Sequence, residues 1–189
     1  FSPFALGARY VVDQSCGAGR NTLVFAGHHA VLGRRVAVKV LRPELAADAD
    51  ARARFLERAD RVSGLHHETI LGLGDYGEDH HLGLPYVVTD YLAGPSLAEL
   101  MRGQPQLPIP FIVSSLVKVA RGLAAAHERG LVHGDLSSRN VVVERSGDSL
   151  ERVLVCDFGT SVLPEADRAA WLAAPEHLAP EQIKGGMMD

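Results

Sequence analysis

The stretch Leu131-Val-His-Gly-Asp-Leu-Ser-Ser-Arg-Asn140 constrains this chain more than any other. It sets Asp135 and Asn140 on either side of a tight loop, and Cys156-Asp-Phe-Gly159 adds a second carboxylate further on. An Asp in such a loop can accept the proton of a hydroxyl, while an Asn and another Asp are hard oxygen donors suited to a divalent cation. Upstream, Val36-Ala-Val-Lys39 reads as a short buried strand ending in a cation. Gly17-Ala-Gly19-Arg-Asn-Thr22-Leu-Val24 reads as a glycine loop whose backbone can approach phosphates without a Cβ clash. Taken one at a time, Asp135, Asn140 and Asp157 have a plainer use in loop capping and turns. Their joint order along the chain favours chemistry.

These four motifs, followed by Ala179-Pro-Glu181, stand in the order and spacing of the protein kinases, and the chain resembles that family from Gly17 to Glu181. The resemblance implies an α+β, bilobal fold: a five-stranded antiparallel N-lobe sheet with one key helix (αC), and a partial helical C-lobe. It implies ATP and Mg²⁺ as cofactors and a protein hydroxyl, Ser or Thr, as acceptor. Residue by residue, Lys39 would contact the α- and β-phosphates under a loop carrying Gly17 and Gly19. Asn140 and Asp157 would hold Mg²⁺, and Asp135 would orient and deprotonate the substrate hydroxyl. Val24 and Ala37 would roof the adenine with Val142 beneath it. Thr89 would be a small gatekeeper, with the backbone of Asp90 and Leu92 facing the base.

The remaining chain reads consistently with this. Tyr10 to Ser15, Leu23 to Gly27 and Arg35 to Leu41 are apolar or β-branched runs bounded by Gly, which predict three antiparallel strands. Ile70 to Gly77 and Leu84 to Tyr91 predict two more. Pro43 to Ser63 predicts one helix, Ser96 to Met101 another, and Ile109 to Gly130 a third with the apolar spacing Ile112, Leu116, Val119, Leu123. Domain limits follow: a nucleotide-binding lobe at 1–91, a hinge at 92–95 and a partial C-terminal lobe at 96–189. The family continues with further helices, so the chain reads as a fragment, and because it opens on Phe1 with no signal-like segment its native N-terminus reads as missing.

Composition adds bounds. With 189 residues, 47% of them hydrophobic and 22% charged, a sizeable core is expected. A formal charge of -4 gives no sign of nucleic-acid binding. No run approaches the ~20 consecutive apolar residues of a membrane span. Two Cys make no disulfide framework, and a reducing cytosol fits. The resemblance places Cys16 and Cys156 above and below the nucleotide. Two small buried hydrophobes is the plainer reading, and a reactive thiol the sharper one. The pairs His28-His29, His66-His67 and His80-His81 read as solvated turn residues, since they lack metal spacing with Cys. His133 is expected in the core, packed on Phe158. Val38-Lys-Val-Leu-Arg-Pro-Glu-Leu45 and Leu65-His-His-Glu-Thr-Ile70 are most similar to the bacterial serine/threonine receptor-kinase group.

Several positions depart from the family. The αC Glu that pairs with the strand Lys falls at Arg58, which repels Lys39 where a Glu would attract it. Glu57 could take its place only if the helix turned, a turn that would drive Arg61 into the core instead of Val62. Gly134 replaces the Arg that receives an activation-loop phosphate, and the hydroxyls Thr160 and Ser161 lie too close to Asp157 to be the usual phosphosite. Regulation by activation-loop phosphorylation is therefore not expected. Ser137 and Ala174 replace a Lys and a Thr near the acceptor, Arg139 stands where tyrosine kinases often have Arg, and Thr22 replaces the third loop glycine. Those losses define a rival class, a pseudokinase scaffold that binds nucleotide or none. His133-Gly-Asp with Asn140 also resembles the aminoglycoside and choline phosphotransferases, but Asp157-Phe-Gly159 and Ala179-Pro-Glu181 belong to protein kinases.

Overall fold

The computed structural model describes residues 2–19, 21–104, 106–146 and 150–158. The chain separates into two compact units. One contains the chain up to Leu65 with Gly72–Leu92; the other contains His66–Leu71 with the chain from Ala93 onward.

The first unit is built on a six-stranded antiparallel sheet: β1 (Phe4–Leu6), β2 (Tyr10–Ala18), β3 (Thr22–His29), β4 (Arg35–Leu41), β5 (Leu73–Asp79) and β6 (Leu84–Asp90), in the order β1-β2-β3-β4-β6-β5. The period-2 alternation of strand side chains puts Val36, Val38 and Val40 on one face, where they form a core with Leu6, Tyr10, Val12, Tyr86 and Val88. The sixth strand corrects the expected count of five. Consecutive positive φ at Gly7 (55°) and Ala8 (58°), closed by Arg9 N–H donating to Leu6 O at 3.3 Å, makes a mirror-image turn that folds Phe4–Leu6 back onto β2. The strand is only three residues long and follows no Asn-Gly or Asp-Gly signal, so its pattern is weak.

The single helix expected over Pro43 to Ser63 is two, α1 (Pro43–Ala46) and α2 (Ala49–Ser63). Asp48 interrupts them because its side chain accepts the Asp50 N–H at 2.9 Å as an N-cap. Ala51, Phe55, Ala59 and Val62 form the buried stripe of α2. The fourth expected strand, β5 in the structure, begins at Leu73 rather than Ile70, because the preceding backbone is already paired within the second unit: Val155 N–H donates to Thr69 O at 2.8 Å and Leu71 N–H to Val155 O at 2.9 Å.

Asp79, at the end of β5, ties two turns of this unit together. Its buried carboxylate accepts N–H groups from Gly7 (2.8 Å), His81 (2.9 Å) and Leu82 (2.8 Å). Burial pushes the carboxyl pKa up, but the three donors outweigh it and hold the group below its ordinary 3.8. A pKa lowered by folding contributes stability above the unfolded value, and that contribution is lost as pH falls through the folded value. Asp79→Asn turns an amide NH₂ toward a backbone donor. It should therefore cost about 1–3 kcal/mol at neutral pH and flatten the acid limb of stability below pH 3.8. Urea unfolding across pH would read both, and an acid limb identical to wild type would reject this role for Asp79.

In the second unit, α3 (Leu97–Gly103) starts with a reciprocal capping box between Ser96 and Glu99. The long α4 (Ile109–His127) follows, then a 3₁₀ turn at Ser138–Asn140 and an antiparallel pair, β7 (Val141–Ser146) and β8 (Leu150–Val155). By length and composition α4 is apolar enough to cross a membrane, which counting uninterrupted apolar residues did not anticipate. Its buried stripe is Ser115, Val119, Gly122 and Ala126, while Ile112 and Leu116, expected on the inner face, are exposed. Close approach explains the choice of face: a Cβ on Gly122 would lie 2.6 Å from Thr69 Oγ1.

Candidate functional site

The first unit carries the glycine hairpin and Lys39. Strand β2 reaches Gly17, whose φ of 137° beside a bulge between Ser15 and Gly17 is a conformation L side chains rarely adopt. Across the tip, Gly19 N–H donates to Thr22 O at 2.8 Å, and the Arg42 guanidinium holds Gly19 O at 3.0 and 3.2 Å. Thr22 is buried, and a Cβ on Gly19 would touch its Oγ1 at 3.4 Å, so the hairpin closes around the threonine that stands for the third glycine.

Strand register then defines one face of the sheet. Lys39 lies opposite Val24 on β3 and Val87 on β6, and Val87 lies opposite Tyr76 on β5. The neighbouring row is Ala26, Ala37, Thr89 and Leu73. Val24, Ala37, Lys39 and Thr89, singled out separately from sequence, thus share a face, and it is the face opposite the Val36–Val38–Val40 core. Asp90 ends β6 opposite Val36. It accepts from Arg34 Nη2 at 2.6 Å through its carboxylate and from Thr89 Oγ1 at 3.3 Å through its carbonyl. Leu92 is the last residue of the unit.

On α2, Val62 is buried, Arg61 and Glu57 are exposed and Arg58 is half-buried. The turn of the helix that Glu57 would need is absent.

The second unit carries the polar loop. His133 is 3% exposed; its Nε2 lies 2.8 Å from Cys156 O and its Nδ1 accepts the Asp135 N–H at 3.2 Å. Those two partners fit the neutral ring with the proton on Nε2. The same ring packs on Phe158 with centroids 4.6 Å apart, tilted by 59°. Asn140 Nδ2 donates to Asp135 O at 2.7 Å and Asn140 O accepts the Cys156 N–H at 2.8 Å. Asp135, Asn140, Asp157 and Phe158 are therefore tied through His133 and the Cys156 backbone into one hydrogen-bonded and packed set. Gly134 has φ +79° and Asp157 φ +70°. Glycine takes the first freely; at Asp157 the left-handed backbone of a non-glycine residue is a local strain. Val142, opposite Leu154 and bridged to Ser96, is half-buried at the start of β7.

The donor set fits a magnesium ion. Because the Asn140 amide nitrogen is engaged by Asp135 O, its Oδ1 is left to act as an acceptor, and with the carboxylate of Asp157 it makes two hard oxygen donors of the kind a divalent cation takes.

Cys156 is buried, with its Sγ 3.7 Å from Leu154 O, as a small hydrophobe should be. Cys16 is not: the distal half of β2 is exposed and the thiol with it, which corrects the buried reading. Histidines of the paired motifs brace local structure: His28 sits 3.1 Å from Asp13, and His29 Nδ1 accepts the N–H groups of Val31 and Leu32 at 3.3 Å. Arg20, Gly159, Thr160, Ser161, Ala174 and the Ala179-Pro-Glu181 motif lie outside the described residues. Sequence reasoning missed the β7–β8 pair, which fixes Asn140 and Asp157 at adjacent strand ends through Val141 opposite Val155. Its signal was the apolar run Val141-Val-Val143 facing Val153-Leu-Val155.

A bilobal kinase scaffold, with its glycine hairpin and strand lysine in one unit and the Asp135–Asn140 loop in the other, is the class these features define. The family model for protein tyrosine and serine/threonine kinases matches residues 10–188, and the chain belongs to the protein kinase family. It is 34% identical over 99% of its length to a probable serine/threonine-protein kinase of Streptomyces coelicolor, and 34% identical over 97% to serine/threonine-protein kinase pkn2 of Myxococcus xanthus. It spans 28% and 22% of those two relatives. The kinase domain of Mycobacterium tuberculosis PknI superposes with a TM-score of 0.78 at 31% identity, covering 100% of this chain and 70% of that one.

Proposed function

We propose that this chain is the catalytic part of a bacterial serine/threonine kinase that moves the γ-phosphoryl group of ATP to a protein hydroxyl in the cytoplasm. The observation that carries the reading is the Asp135 loop. Its backbone N–H and C=O are both held, by His133 Nδ1 and Asn140 Nδ2, so the carboxylate is presented from a fixed backbone. Such a group can orient an acceptor hydroxyl and take its proton as the oxygen attacks. Lys39, anchored in mid-sheet between β3 and β6, meets the α- and β-phosphates, and the Gly17–Gly19 backbone covers them. Asn140 Oδ1 and Asp157 would hold magnesium, which when bound neutralises phosphate charge. The side chains assigned to the base are Val24 and Ala37 in the first unit and Val142 in the second, with the backbone of Asp90 and Leu92 supplying its polar contacts.

Gly134 supports independence from activation-loop phosphorylation, since it offers no guanidinium to a phosphate. Arg58 favours the second reading, a nucleotide-binding pseudokinase scaffold, because the Lys–Glu pair that normally sets the lysine cannot form.

Lys39→Met tests the assignment. Calorimetric titration of Mg-ATP should show affinity reduced about tenfold or more, the scale of one charge-assisted phosphate contact, and labelled-phosphate transfer should fall with it. Unchanged affinity would remove Lys39 from the site. Wild-type binding without transfer to any generic protein substrate would favour the scaffold.

A further inference from the structure

We propose that Arg139 reads the charge of the acceptor, so that the favoured substrate is a protein segment with an acidic side chain close to its reacting hydroxyl. The inference rests on the reading of Asp135 as the base and names the substrate class for that site.

The geometry comes from the loop itself. Asn140 Nδ2 donates to Asp135 O at 2.7 Å, which closes the segment between them into a ring. One residue of chain adds 3.8 Å to the span of that side chain, so the Cα of Arg139 lies within about 10 Å of the Asp135 carbonyl. The backbone around Arg139 is held as well. Its N–H donates to Ser137 Oγ at 3.3 Å, the Asn140 N–H donates to Ser137 O at 3.0 Å, and Ser138–Asn140 form the 3₁₀ turn. Neighbours in such a turn project about 120° apart. With the Asn140 amide folded back onto Asp135, the Arg139 side chain leaves the loop in another direction, and it is exposed.

The charge of the loop follows. Arg139 is the single Lys or Arg between Leu131 and Asn140. The exposed Arg9, Arg34, Arg35 and Arg152 each meet a carboxylate within 3.4 Å, whereas among the described residues none meets Arg139. Ser137 spends its hydroxyl on the Arg139 backbone and brings no charge of its own. A guanidinium offers paired N–H donors that match the two oxygens of a carboxylate. An extended acceptor advances about 3.3–3.6 Å per residue, so a carboxylate two or three residues from the reacting hydroxyl spans the distance from Asp135 to Arg139. A Lys or Arg at the same place meets like charge, so one residue both favours acidic segments and selects against basic ones.

The test is transfer from Mg-ATP by the full chain to peptides with a central Ser and with Glu, Gln or Lys at successive positions on either side. It is read as kcat/KM for wild type, Arg139→Gln and Arg139→Glu, with thermal unfolding to verify that each variant is folded. Wild type is expected to favour Glu over Gln at one position by about threefold to fivefold, the scale of one partly solvated ion pair. The preference should lie chiefly in KM and fade in high salt. Arg139→Gln should take the two peptides alike, and Arg139→Glu should favour Lys at that position. The proposal is overturned if wild type shows no preference for Glu, or if Arg139→Glu keeps the wild-type preference. If no peptide accepts phosphate, the reading of Asp135 as a base fails, and fluorescence anisotropy of the same peptides with the Mg-ATP-loaded chain decides the inference by itself. Tighter binding of the Glu peptide, reversed by Arg139→Glu, supports it; equal binding of the Glu and Lys peptides overturns it.

Discussion

Asp135→Asn is expected to lower phosphoryl transfer by about 10²–10⁴-fold, the range a positioned general base contributes, while leaving nucleotide affinity within about twofold. The reason for this split is that the loop is shaped by backbone contacts the substitution does not touch. His133 Nδ1 receives the residue's N–H and Asn140 Nδ2 reaches its carbonyl, and the His133 ring stays packed on Phe158. An amide of the same shape can still sit in that loop, but it cannot take a proton from an acceptor hydroxyl. Single-turnover transfer together with calorimetric ATP binding would read the two effects separately. Turnover within tenfold of wild type would exclude Asp135 as the base. A parallel loss of affinity would mean that the carboxylate serves the nucleotide instead.

Phe55→Ala should have the largest effect on stability, about 3–5 kcal/mol. Phe55 is fully buried, at 0% exposure, on the stripe that α2 presents to the sheet, and its neighbours on that stripe, Ala51 and Ala59, are small. The void left by the ring has little beside it that could swing in, so both the lost burial and the cavity count. Chemical denaturation followed by circular dichroism would measure the first effect. A change below 1 kcal/mol would show that α2 is held chiefly by its polar contacts to Tyr76 and Glu78.

Particular elements show why some of this was legible in advance. Strands β3, β4 and β6 were read within a residue or two because Gly bounds their β-branched runs, and the tight loop joining Asp135 to Asn140 because its polar residues have fixed spacing. His133 beside Phe158 followed from the family resemblance alone. Other features are decided by partners distant in sequence. The strand Phe4–Leu6 exists only because β2 offers it an edge, and the β7–β8 pair was a short apolar run that periodicity cannot assign to helix or strand. The inner face of α4 was misread because that helix is apolar nearly all round; Thr69, packed against Gly122, selects the small residues. Cys16 was expected inside because free cysteines usually are, yet it lies where β2 runs out beyond its core.

The order of Gly17, Gly19, Lys39, Asp135, Asn140 and Asp157 by itself determined the family, because phosphoryl transfer needs cations, hard oxygen donors and a base, and few arrangements of a chain supply them in that sequence. The same order carried the substitutions at Arg58 and Gly134. The tertiary structure decided the rotation of α2, which leaves Glu57 exposed and Arg58 half-buried in line with the expected burial of Val62. A helix has no preferred rotation until its apolar stripe is buried, and Phe55, Ala59 and Val62 against the sheet set that rotation. The sheet then placed Lys39 on the face where the helix rests, through pairings between strands far apart in the chain.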